Sequence, residues 1–447
     1  MADKARTFVH QSKHNAVPIL LWLFAMGIVV RLTLFVRQRA STEFTQVDTN
    51  AAVEIVLAVL TGAVLVFSPR SKSVWKVVWR TSGGLLAAYY VLCAATALWS
   101  PLPEFSLFRA VETLSQYAAI VVALSYCASM EAAEKRVLAM GLLVTAMGVI
   151  STLKMAGFAL SLDALHTNSY TASAAVLCCY CAAEMGAADK KRKRMLKLAG
   201  LAALGAVIAG TSSASIIATV CGGLVAFTMS RKHGILLSGM AVGALVLIFM
   251  LEGEVIEGML FPGKSEHQIR TLHGRRQLWE AYAEEIKVNP MLGKGFSVGP
   301  RLSTFRYTTN AHNSIFSVLL NAGAAGMVLA GACVFKLVRE LRFCTRTRRR
   351  GAAGCAAAMT AALVNSMGLP IVGEAWMAPS LVVAGVLGLH LLFVLNAAPG
   401  EEAARQPVPA AAAAEHGKPV AWASRPRKGK NGRRDARPTP GAMHHGH

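Results

Sequence analysis

KKRKRMLKLAGLAALGAVIAGTSSASIIATVCGGLVAFTMSRK, residues 190–232, decides the fold. Two apolar runs, 195–210 and 214–230, flank a short hydroxyl-rich turn at 211–215. Bases stand outside both runs: Lys190-Lys191-Arg192-Lys193-Arg194 before, Arg231-Lys232 after. A helix that crosses a bilayer needs about 20 mostly apolar residues. Lys and Arg collect at the cytoplasmic ends of such helices. The stretch therefore reads as a helical hairpin that leaves the cytoplasm, turns, and returns. The pattern recurs along the chain, with apolar runs near 17–36, 51–68, 83–99, 109–128, 137–157, 167–184, 235–251, 313–337, 351–370 and 376–397. About twelve spans are expected.

Composition agrees. The 447 residues are 54% hydrophobic and only 16% charged, with a mean hydropathy of +0.46. A soluble domain carries about a quarter of its residues charged, and disorder needs low hydrophobicity, so both are excluded for most of the chain. The net charge is +22, from 46 Lys+Arg against 24 Asp+Glu. A basic surplus also suits nucleic acid, but here the bases sit in 69–82, 185–198, Arg231-Lys232 and 339–350, where membrane topology puts them. With twelve spans these loops and both termini are cytoplasmic; 37–50, 100–108, 158–166, 211–215, 252–312 and 371–375 are external. No nucleic-acid partner is expected; membrane lipids are. The nine cysteines form no paired C-x-x-C, and Cys178-Cys179-x-Cys181 reads as small residues packing a span. Neither a metal nor a cofactor is expected. No cleavable signal peptide is expected either, because the first apolar run passes signal length without a cleavage site.

The expected fold is all-α, a polytopic membrane helical bundle with an external loop that contains an interfacial helix. Its divisions are a cytoplasmic N-terminus (1–16), nine spans (17–251), the external loop (252–312), three spans (313–397) and a disordered basic cytoplasmic tail (398–447). The loop is the one segment long enough to build a site. It holds seven acids and eight bases, among them Arg270, Arg275, Arg276 and Arg301. External bases oppose the positive-inside trend, and anionic phosphate is the chemistry that explains them. The spacing predicts a helix from Gly274 to Val288, stopped by Asn289-Pro290. Arg275, Leu278, Trp279, Tyr282 and Ile286 share one face, so the helix is expected in the headgroup layer with Trp279 and Tyr282 as anchors. A guanidinium at a helix start suits diphosphate.

Where the loop re-enters the membrane stands His312-Asn313. Histidine is the natural general base near neutral pH. Gly323-Ala324-Ala325-Gly326 follows three turns later, where close helix packing is expected to fix the span. Arg109, near the external start of a span, and His166, just before another, are further candidates. Glu54, Arg31 and Lys154, in or near spans, are expected to be paired or to reach for the surface, and His390 to be satisfied internally.

Four stretches together resemble the O-antigen ligase and O-antigen polymerase superfamily of bacterial envelope enzymes. They are Leu98-Trp99-Ser100-Pro101-x-Pro103-x-x-Ser106-Leu107-x-Arg109; His166-x-Asn168; Gly274-Arg275-x-x-x-Leu278-Trp279 running to Pro290-x-x-Gly293-x-Gly295; and His312-Asn313 with Gly323 and Gly326. The last fits the ligase pattern H-[NSQ]-x9-G-x-x-[GTY]. The resemblance implies a metal-independent, inverting glycosyltransferase of the bacterial inner membrane with its site facing the periplasm. Its donor would be a glycan on undecaprenyl diphosphate, His312 the base toward the acceptor hydroxyl, and Arg275 the diphosphate ligand. Arg276, Arg270, Asn313, Trp279, Arg109 and His166 would bind substrate. One departure stands out: the family often carries Ser-Arg at the external turn where this chain has Thr211-Ser212-Ser213-Ala214-Ser215, so a second clamp arginine is missing and Arg270, Arg276 or Arg109 would replace it. Ligation to lipid A–core is the leading expectation. Polymerisation of repeat units on a growing polysaccharide is the alternative, ahead of protein O-glycosylation. A transporter would show an internal repeat and charges along a midplane path; the sequence shows no repeat, and its conspicuous residues cluster at one boundary.

Overall fold

The computed structural model describes residues 16–34, 49–158, 167–230, 275–302, 311–347, 349, 351–374 and 378–395. The expected span 235–251, loop positions 252–274 and 303–310 with Arg270, His166, and the tail 398–447 lie outside the described residues.

Among the described residues the chain is all-helical, without strands. The helices are α1 (Ala16–Leu34), α2 (Thr49–Phe67), α3 (Ser71–Val78), α4 (Ser82–Ala95), α5 (Pro103–Ser125), α6 (Met130–Met155) and α7 (Asn168–Glu184). There follow α8 (Lys190–Ala209), α9 (Ser213–Ser230), α10 (Arg275–Val288), α11 (Ser314–Arg346), α12 (Ala352–Asn365) and α13 (Ala378–Leu395). Short polar side chains start several of them by accepting from the first free amides. Ser129 accepts from Ala132 N, Thr167 from Ser169 N, Asp189 from Arg192 N, and Asn313 from Ile315 N. Helix α5 instead opens on Pro103, whose missing N–H costs nothing in a first turn.

Three described helices, α5, α6 and α11, are by themselves long and apolar enough to cross a membrane. Five more are apolar but shorter. The expected count of about twelve is thus not established by helix length. The segment 69–82 is more than the basic loop expected: α2 and α3 meet at 91°, and α3 buries Val74 and Val78 while exposing Lys72 and Lys76. The run Lys190–Arg194 likewise opens α8 rather than a loop, and Arg192 is buried.

Small residues let α7, α9 and α12 pack closely, with Cys179, Ala183, Ala218, Ala226, Ala357 and Ala361 in one apolar cluster. That is the packing role expected of the cysteine-rich run. The polar contacts gather at opposite ends of these helices. At one end Arg192 joins Glu134 and Glu184, and Glu340 accepts from the backbone N and Oγ of Ser82, 2.9 and 2.6 Å. His390 is buried there with Nε2 3.4 Å from Glu340 Oε2, but neither ring nitrogen is hydrogen-bonded among the described residues, so it is not the internally satisfied histidine expected. At the other end Ser212 meets Asn168, and Ser215 Oγ reaches Thr171 Oγ1 (2.9 Å) and Asn365 Oδ1 (3.4 Å). The described parts of the family-like motifs lie at this second end.

Candidate functional site

The site is built around a break in α11. Gly323 has φ 61° and ψ −158°, a conformation that only glycine adopts readily, and it divides α11 into a half-helix from Ser314 and a long lower part. A break strands amides and carbonyls that a continuous helix would pair, and buried ones need other partners. Segment 290–295 supplies them. Pro290 O and Met291 O accept from Ala324 N (2.8 Å) and Ala325 N (3.2 Å), while Lys294 N and Gly295 N donate to Leu320 O (2.7 Å) and Asn321 O (3.0 Å). The external loop is spliced into the helix. Gly293, at φ 68°, makes the approach possible, since a Cβ there would stand 2.6 Å from the Asn321 carbonyl carbon. The close packing expected of the Gly323–Gly326 stretch is thus made around a break in the helix.

The Trp99–Ser106 motif holds the same loop from the other side. Trp99 Nε1 donates to Leu292 O at 3.2 Å, and Phe296 N donates to Thr96 Oγ1 and Ser106 Oγ, both at 2.9 Å. Three of the four motif stretches, far apart in sequence, are thus one structure.

A strap, residues 366–374, runs beside the half-helix. Ser314 N donates to Ser366 O at 2.8 Å, Asn313 Nδ2 to Met367 O at 3.3 Å, and Ile371 N and Val372 N to Ser314 Oγ at 3.0 and 3.2 Å. Asn313 is buried and caps the half-helix. His312, just before it, has a positive φ of 52°, uncommon for a residue other than glycine.

Helix α10 packs on the start of the half-helix. Leu278 and Tyr282 are buried against Ala311 and Leu320, Trp279 stacks on Phe316 with centroids 5.8 Å apart, and Trp279 Nε1 donates to Ala311 O at 3.0 Å. This corrects the expectation of a headgroup-layer helix with Trp279 and Tyr282 as lipid anchors. Both rings face protein, because Ala311, Phe316 and Leu320 of the half-helix and its start offer them an apolar surface. The packing directs Arg275, at the start of α10, to the strap, where Nη1 donates to Gly368 O at 3.2 Å. Met367 and Gly368 thus hold Asn313 and Arg275 through successive carbonyls, which brings Arg275 beside His312. Burial and then the Arg275 charge hold the His312 imidazole down at about 4. Burial also lowers Arg275. Among the described residues no carboxylate pairs with Arg275.

The turn with the missing arginine arrives at the same place. A Cβ on Gly368 would lie 2.9 Å from Ala214 Cβ and 3.6 Å from Arg275 Nη1. Of the expected replacements, Arg270 is outside the described residues, as is the side chain of Arg276 within α10. Arg109 belongs to another cluster. It pairs with Glu112 at 2.8 Å and Glu54 at 3.5 Å, and shares the Phe105 ring with Arg301, the two guanidiniums 5.5 and 5.3 Å from its centroid. Arg301 in turn stands 3.7 Å from Glu374 of the strap, itself buried. Among the described residues no three His, Cys, Asp or Glu side chains converge as metal ligands do.

Residues 198–331, from α8 into α11, match the family model described as O-antigen ligase. This segment is of the O-antigen ligase superfamily. It carries Arg275, His312, the spliced loop and Gly323, and it covers less than a third of the chain. The Trp99 motif and the strap lie outside it. No curated protein matches the chain. The superfamily is one of glycosyltransferase-like membrane proteins that act on lipid-linked polysaccharide, and the match supports an enzyme at that coarse level.

The strap, Asn321 and Glu374 escaped the sequence reading, which noted Arg301 only as one of the external bases. The strap is short and bears no motif of its own. Asn321 occupies an unspecified position of the H-N-x9-G pattern, so only its burial beside Gly323 reveals it.

Proposed function

We propose that the protein transfers a glycan from undecaprenyl diphosphate to a hydroxyl of lipid A–core at the periplasmic face of the bacterial inner membrane. The described apolar helices, with those expected outside the described residues, make up the bundle of about twelve spans. Both termini and the Arg192 end then face the cytoplasm. The observation that carries the reading is the pairing of His312 with an arginine that no described carboxylate neutralises, at the end of the bundle where the motifs meet.

Arg275 offers the diphosphate a planar set of donors, fixed by α10 and by Gly368 O. His312 takes the proton of the acceptor hydroxyl as its oxygen attacks the anomeric carbon. The bond to the diphosphate oxygen breaks with inversion, and undecaprenyl diphosphate leaves on Arg275. The lowered proton affinity of His312 keeps it in the base form at neutral pH. An anion on Arg275 offsets the cation that contributes to this lowering, so donor binding strengthens the base. Trp279 and Asn313 hold the two groups in register, and Arg276, Arg270 and His166 complete the donor site. Arg109 acts one shell out, through Phe105 and Arg301. No step calls for a metal or a cofactor.

The test is transfer by the purified protein in detergent, given undecaprenyl-diphosphate glycan and lipid A–core. A capped product of core size supports ligation. A ladder of lipid-linked chains made without lipid A–core overturns the acceptor and points to polymerisation.

A further inference from the structure

We infer that Asn321 is a positioning residue for His312, acting by tying the far end of the half-helix to the strap and the spliced loop. The inference rests on the reading of His312 as the base. Because Gly323 interrupts α11, the long lower helix does not set the direction of the half-helix that begins just after His312. Cross-links at its two ends do. The near end is held by Asn313 and Ser314, as described. The far end is held by Asn321, fully buried and bonded on every side. Its Oδ1 accepts from Gly299 N at 3.0 Å, its Nδ2 donates to Gly373 O at 2.6 Å and Glu374 Oε1 at 3.2 Å, and its carbonyl accepts from Gly295 N at 3.0 Å.

One amide therefore joins three segments: half-helix, spliced loop and strap. The near end of that strap carries the carbonyls of Met367 and Gly368 that orient Asn313 and Arg275. Half-helix and strap are two rails fastened at both ends, and Asn321 is the fastening remote from the chemistry. His312 itself holds an uncommon backbone conformation, which persists only while its surroundings over-determine it. Loosening the far end frees the strap and removes part of that constraint. A misplacement of about 1 Å costs on the order of 10²-fold in rate.

The test compares wild type, N321D and N321D/E374Q as full chains in detergent, by single-turnover transfer and by binding of undecaprenyl diphosphate. The carboxylate that N321D introduces cannot donate to Gly373 O and repels Glu374. A rate loss of about 10- to 10²-fold is expected, with one ligand still bound per chain and affinity within about threefold. In the double variant the carboxylate has moved from position 374 to position 321, and the new amide at 374 donates to it, so much of the lost rate returns. Where N321D does not accumulate, N321S, which adds no charge, carries the same expectation. A wild-type rate in the 321 variants overturns the inference, as does binding stoichiometry that falls in step with rate. If His312→Ala transfers normally, the base assignment fails first. If His312→Ala is inactive while the 321 variants match wild type, only the role of Asn321 fails.

Discussion

Arg192 and Arg275 stand at opposite ends of the bundle, and the protein treats their guanidiniums in opposite ways. Arg192 is buried and paired with two carboxylates: Nε and Nη2 meet Glu134 at 2.8 and 2.6 Å, and Nη2 also meets Glu184 at 2.6 Å. Tyr180 donates to Glu134, and the amides of Gly351 and Gly354 donate to Glu184, so α6, α7, α8 and the start of α12 are locked together. Arg275 is partly open, and its one contact among the described residues is a carbonyl at 3.2 Å. A guanidinium held between two buried carboxylates holds helices. One kept from carboxylates and set beside a deprotonated histidine is free to meet an anion.

The comparison is broken most forcefully at Arg192. Arg192→Ala leaves two carboxylates buried without their cation, a loss of about 3–5 kcal/mol. Thermal unfolding in detergent should show it as a large drop in midpoint, while the transfer rate per folded molecule stays near wild type. His312→Ala should do the reverse, lowering the single-turnover rate by about 10²–10⁴-fold with little change in midpoint. Gly323→Ala tests the splice. It forces a side chain into a glycine-only conformation against Met291, and a cost of about 1–3 kcal/mol or more should appear in both stability and rate. Arg275→Lys keeps the charge but loses the fork, and a roughly tenfold weaker affinity for undecaprenyl diphosphate is expected, the worth of one charge-assisted hydrogen bond.

A further test is in pH. His312 is held at about 4, against 6.5 for an ordinary imidazole. Between those values the unfolded chain takes up a proton that the folded chain refuses, so this group's contribution to stability is present above pH 6.5 and is lost as pH falls toward 4. The acid limb of kcat/KM, which reports the free enzyme, should lie near 4. That of kcat should lie higher, because bound diphosphate offsets Arg275. Coincident limbs near 6.5 would separate His312 from both its burial and its neighbour.

The same contrast explains what the sequence made legible. Helices came from apolar runs and caps, and the end of the Arg275–Val288 helix was given by Asn289-Pro290. Arg275 and His312 were visible as an external base and a histidine at a helix start. The partner of Arg192 was hidden, because a run of five bases reads as solvated and only tertiary structure shows that one member turns inward to two distant glutamates. The splice was hidden for a related reason. The glycines of P-x-x-G-x-G and of H-N-x9-G were readable as special, but a break answered by backbone from another segment leaves no pattern in side chains. Trp279 and Tyr282 were misplaced because an aromatic face suits lipid and protein equally, and the half-helix decided between them.

Side-by-side measurement of undecaprenyl diphosphate binding and single-turnover transfer in wild type, His312→Ala and Arg275→Ala tests the central claim most directly. The account predicts that His312→Ala binds as wild type does but transfers at least about 10²-fold more slowly, while Arg275→Ala loses binding as well as rate. Normal transfer by His312→Ala, or undiminished binding by Arg275→Ala, would contradict it.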